Sequence, residues 1–181
     1  MPVTFGEIMS GTRYPAIVFL IIILVSLSLP LFYYSRLPET VASHFNFKDT
    51  ADGWMSKESF LVTEMAITVF LSSLFSSIAF FIPKFPVTII NLPNKEYWLS
   101  PERRGESLKI FQRYFLWFGC LTMGFLTIVI QEVNIANLSD RIKISGNVWI
   151  YLIVFLSAIG IMTVRLFMHF NKTDNKNGIL K

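Results

Sequence analysis

The chain is 181 residues long, 53% hydrophobic, 15% aromatic and only 15% charged, with a mean hydropathy of +0.54. Ordinary soluble domains are about a quarter charged, and a domain near this size leaves roughly 30% of its chain surface wet, so the composition excludes a water-soluble enzyme and a disordered chain. One cysteine, Cys120, excludes an internal disulfide framework and a cysteine-cluster zinc site, and a net charge of +4 without a basic run speaks against nucleic acid as a partner.

A membrane-crossing helix needs about 20 mostly apolar residues. In chain order, the first such segment covers about residues 15–34 and carries no charge. Its apolar run is longer than the roughly 7–15 residues of a signal-peptide core, and no small-residue cleavage site follows, so it reads as a retained signal-anchor helix.

The loop at 35–59 comes next. Residues 41–47 alternate with strand period, Lys48-Asp49-Thr50 and Asp52-Gly53 are turn formers, and Ser56 with Glu58 forms a helix start. The second span, about 60–82, contains one acid, Glu64, which should face the bundle and find a partner near Arg36, Lys57, Gln131 or Glu132. Ser72, Ser73, Ser76 and Ser77 mark its packing face.

The loop at 83–106 has an irregular path with several prolines and asparagines. Tyr97 and Trp98 are its apolar anchor, and Arg103 and Arg104 are placed to hold lipid phosphates. Ser100-Pro101-Glu102 is a helix-start signal, so the third span, about 109–131, is expected to begin as a stub near Pro101. Gly119, Cys120 and Gly124 are its small-residue packing face, with Cys120 buried and inert.

A loop at 132–147 holds a second alternating run, 141–144, expected to pair with 41–47 as a small sheet. The fourth span, about 148–168, packs through Ser157, Ala158 and Gly160, and a tail covers 169–181. Eleven Lys and Arg fall on the side of the termini and the 83–106 loop, and five on the other side, which orients both termini and that loop toward the cytoplasm and the other two loops outward. The expected fold is an all-α membrane protein: one integral domain over residues 1–181, a four-transmembrane-helix bundle with a small extracytoplasmic β-containing cap.

No catalytic set stands out. There is no nucleophile elbow and no Gly-rich phosphate loop, and Glu39, His44, Asp49 and Asp52 lack a metal-ligand spacing, so no metal, no other cofactor and no enzymatic activity are expected. The outer-loop residues expected to bind a ligand or partner are His44, Asn46, Asp52 and Trp54, with Glu64 beneath them. The partners in view are the lipid bilayer and a peptide or membrane protein.

Leu37, Pro38, Val41, His44, Phe45, Asn46, Asp52, Gly53, Trp54, Ser56 and Lys57 spell LPxxVxxHFN…DGWxSK. This loop resembles the signature of a bacterial membrane-protein family catalogued only as a domain of unknown function. The same module forms the N-terminal part of the immunity and signal-receptor protein for the sporulation-delaying toxin. Ala42 stands where the family often has proline, and Asp49 where it often has glycine. The resemblance implies a bacterial inner-membrane protein, a binding, sensing or immunity-like accessory module acting through this loop. The alternative is a small transporter or membrane-enzyme subunit using Glu64.

Overall fold

The computed structural model describes residues 11–173. The part of the tail beyond residue 173 lies outside the described residues. Four long helices run alternately up and down: α1 (Arg13–Tyr34), α2 (Lys57–Phe81), α4 (Arg104–Asn137) and α5 (Asn147–Asn171). Each is long and apolar enough to cross a membrane. Between α1 and α2 stands a hairpin, β1 (Thr40–Phe45) and β2 (Ala51–Ser56). Between α2 and α4 lie two single 3-10 turns, Ile82–Lys84 and Val87–Ile89, and a short helix α3 (Lys95–Trp98). A mostly helical bundle with a two-stranded sheet therefore matches the expected architecture in outline.

Helix α4 is the hub, packing against α1, α2 and α5, while α1 and α2 also pack on each other. Contact is close at Gly119, where an added Cβ would lie 2.9 Å from the Phe19 ring and 3.2 Å from Phe75 Cβ. With no hydrophobic drive between helices in lipid, such close approach is what small residues supply. Around it lies the middle core of Phe19, Ala79, Leu116, Cys120 and Met123. The serine face expected on α2 is mostly not a packing face: Ser72 is buried, but Ser73, Ser76 and Ser77 are exposed. Ser157 and Gly160 on α5 are exposed as well, because α5 leans chiefly on α4 and, among the described residues, buries only Phe170.

The boundaries correct several expectations. Ser56 does cap α2, its hydroxyl accepting from Ser59 N at 3.2 Å with Glu58 in the first turn. Helix α4 begins at Arg104, not Pro101; residues 101–103 form a turn whose end is held by Ser100 O, which accepts from Arg103 N and Arg104 N. Helix α4 also runs six residues past the expected end at 131, to Asn137, so much of the expected loop at 132–147 is helix. The 141–144 run is not a strand. It contributes one isolated bridge, Thr50 with Lys143, because β1 finds its partner in β2, across the five-residue turn 46–50. Residues 51–56, read as a turn and cap, are that second strand.

The 83–106 loop folds back on the end of α5. Ile82, Leu92, Leu99, Leu108 and Phe170 form a core there. Asn94 adopts a left-handed conformation (φ 50°), and its Nδ2 donates to Phe170 O and Asn171 O at 3.2 and 3.1 Å. Trp98 Nε1 donates to Phe170 O at 2.8 Å. These bonds satisfy carbonyls that the helix end leaves open.

Candidate functional site

The hairpin is built around Asn46. Its Oδ1 accepts from Lys48 N, Thr50 N and Thr50 Oγ1, and its backbone N–H donates to Thr50 O. An Asn side chain folded onto its own turn in this way fixes a tight reversal. Asp49 takes the left-handed position (φ 60°), the conformation glycine would otherwise supply.

Pairing runs Ala42 with Trp54, His44 with Gly53 and Phe45 with Ala51. Ser43 is therefore an extra residue on β1 and Asp52 an extra residue on β2, two opposed bulges that restore the register. Bulges re-aim side chains, and here they set His44 beside Asp52, with Nδ1 bonded to Oδ1. Gly53 is required opposite: an added Cβ would lie 2.9 Å from His44 Cβ. Both side chains of the His44–Asp52 pair are open to solvent.

The far end of the hairpin docks on the start of α5. Phe47 stacks on Trp149 with ring centroids 6.0 Å apart, Trp149 Nε1 donates to Asp49 Oδ1 at 3.4 Å, and Ile144 N donates to Asp49 O. His44, Phe45, Asn46, Phe47, Asp52 and Trp149 line an open pocket of about 310 Å³. Three of the expected outer-loop residues thus come together. Asn46 does so mainly as the turn's organiser, since its carbonyl is occupied. Trp54 lies outside the pocket lining and stands half exposed. Trp149, which completes the pocket, carried no sign in the sequence beyond its place at a helix start.

The hairpin base is tied down as well. Asn137 at the end of α4 grips the backbone of Ala42: Ala42 N–H donates to Asn137 Oδ1 and Asn137 Nδ2 donates to Ala42 O. Lys57 donates to Glu39 at 2.6 Å. Leu37, Val41 and Phe60 close the core beneath.

Glu64 is buried seven residues into α2, as an intramembrane acid should be. Its partner is none of the four expected residues but Asn134, whose Nδ2 donates to Glu64 Oε1 at 3.0 Å. The expected third span stopped short of Asn134, which is why it went unseen. The seam continues inward through Thr68 and Ser72 on α2, and through Ser26 hydroxyl-bonded to Thr127 between α1 and α4. The spans are thus less purely apolar than their sequence reads.

At the opposite end, Trp98 Nε1 donates to Phe170 O at the end of α5, and Arg104 Nη2 donates to Phe85 O at 2.9 Å. Arg103 lies over the Tyr97 ring, 4.1 Å from its centroid. Among the described residues, no group of three or more His, Cys, Asp and Glu gathers as for a metal ion.

No curated protein and no solved structure matches the chain. Residues 21–67, about a quarter of the chain, match a family described as a domain of unknown function, DUF1648, and this stretch holds the second half of α1, the hairpin and Glu64. In that segment the chain is similar to a membrane-protein domain of unknown function.

Proposed function

We propose that the protein is a binding or sensing module of a bacterial inner membrane, with both termini cytoplasmic and the hairpin pocket facing outward to take a peptide or a segment of a membrane-protein partner. The single observation that carries this reading is the pocket formed by His44, Asp52, Phe47 and Trp149. It combines an open imidazole–carboxylate pair with an aromatic stack, the mixture of apolar walls and few oriented polar groups that ligand sites use. The hairpin is also anchored at both its base and its tip, so the pocket is preorganised, which lowers the cost of binding. The eleven-to-five distribution of Lys and Arg supports the orientation. An immunity-like accessory role is the case in which the captured peptide is a toxin; this rests on the resemblance of the outer loop.

A photo-crosslinking amino acid in place of Phe47 tests the reading in living cells. A discrete adduct is expected from position 47 and none from Phe32, which stands on the exposed face of α1. Labelling of a single cysteine at position 48 only from the cytoplasmic side would overturn the orientation.

A further inference from the structure

The buried acid under the hairpin has an amide for its partner, and the atoms of that pair do not balance if the acid is ionised. Asn134 is wholly buried (0% exposed) and Glu64 nearly so (6%). The orientation of the Asn134 amide is set by its nitrogen, which donates both to Glu64 Oε1 at 3.0 Å and to Ile130 O at 2.9 Å. Its oxygen, Asn134 Oδ1, is buried and has no hydrogen-bond partner. A carboxylate and an amide oxygen are both acceptors only, so an ionised Glu64 has nothing to donate to that oxygen, and an unmet buried acceptor costs about 1–3 kcal/mol. One proton removes the conflict. A neutral carboxylic acid accepts from the amide N–H through one oxygen and donates through the other to the amide oxygen, closing a ring of two hydrogen bonds.

We propose that Glu64 and Asn134 form a buried protonation site, a neutral carboxylic acid–amide pair whose ligand is a single exchangeable proton. Among the described residues, no titratable side chain is bonded to Glu64. The titratable side chains at this end of the elements packed on α2 are Tyr33 and Tyr34 of α1, His44 of β1, Asp52 of β2 and Glu132 of α4, with Lys57 and Glu58 on α2 itself, and the side chain bonded to Glu64 is Asn134. His44 bonds Asp52, Lys57 bonds Glu39, and Tyr34 bonds Glu58. Thr68, one turn deeper on the same face and wholly buried, adds a second unpartnered oxygen, so the site opens onto a polar seam and not a sealed apolar wall. One turn of α4 separates Asn134 from Asn137, which holds Ala42. The proton therefore fastens α2 to α4 directly below the hairpin, and its loss loosens that seam. The proposal is independent of what the hairpin pocket binds.

Infrared difference spectroscopy on the full chain in lipid vesicles tests it, comparing the protein with Glu64→Gln and Asn134→Leu. The expected result is a carbonyl band of a neutral carboxylic acid at neutral pH, shifted in heavy water, lost in Glu64→Gln and moved to higher frequency in Asn134→Leu. Glutamine supplies an acceptor and a donor as the neutral acid does, with one N–H more, so Glu64→Gln should melt close to the native protein at neutral pH and should lose the decline in stability expected of the native protein as pH rises. Three results would each overturn the proposal: carboxylate bands at neutral pH that vanish in Glu64→Gln, a Glu64→Gln protein that fails to fold, or stabilisation by added sodium ion that Glu64→Gln abolishes, which would mark a metal-cation site instead.

Discussion

Asn137 holds Ala42 by both of its backbone polar groups, at 2.6 Å to the N–H and 2.9 Å to the carbonyl. The side-chain amide thereby imitates a neighbouring strand and joins the last turn of α4 to the first strand of the hairpin. The bond from the Ala42 N–H is open because residue 42 is alanine; proline there would have no N–H to give. Asn137 and Ala42 are both buried, so water cannot replace what the clasp supplies.

Asn137→Leu should therefore cost roughly 2–6 kcal/mol, at about 1–3 kcal/mol for each backbone group left unpaired. The change should appear as a lower melting temperature in detergent and as faster proteolysis at the turn around Lys48. Ser139→Ala, two residues on, removes an exposed hydroxyl that bonds Ala136 O and Arg141 O, and as the matched control should cost no more than about 1 kcal/mol.

Gly53→Ala should distort the hairpin, because the new Cβ would meet His44 Cβ at 2.9 Å, a contact no rotamer change can relieve. The expected loss is about 1–3 kcal/mol, the usual range for overpacking. Replacing His44 with alanine keeps its Cβ and should not rescue the variant, whereas Gly53→Ala combined with His44→Gly should recover most of the loss. Melting curves of the three proteins decide this.

Asn94 carries two separate burdens, a left-handed backbone and two bonds to the end of α5. Asn94→Gly should lose only the bonds, while Asn94→Ala should lose the bonds and add about 1–2 kcal/mol of left-handed strain. Hydrogen exchange in the last turn of α5 should rise in both, and more in the alanine variant.

The four helices were legible because a spanning helix must be a long, mostly apolar run, and Ser56 and Asp49 were legible because caps and left-handed turns favour few residue types. The pairing of the hairpin was not. Alternation in 41–47 showed a strand, but Asp52-Gly53 also reads as a turn, and only the opposed bulges at Ser43 and Asp52 reconcile it with a strand. The end of α4 was hidden for a similar reason: Asn134 and Asn137 look like loop residues until their amides are seen meeting Glu64 and Ala42 across the bundle. Of the candidate site, His44 and Asp52 were visible as residue types, whereas their contact and the wall supplied by Trp149 depend on tertiary pairing that no local pattern records.

The hairpin pocket as a binding site is the central claim, and the yield of the adduct from position 47 in a His44→Ala background, measured alongside the melting temperature, tests it most directly. His44 is exposed and bonded only through its ring to Asp52, so its truncation should leave the melting temperature within a degree or two of the native value. The account predicts that the adduct is lost while the fold is kept. An adduct formed at native yield in that protein would contradict it, and would leave the hairpin a structural cap.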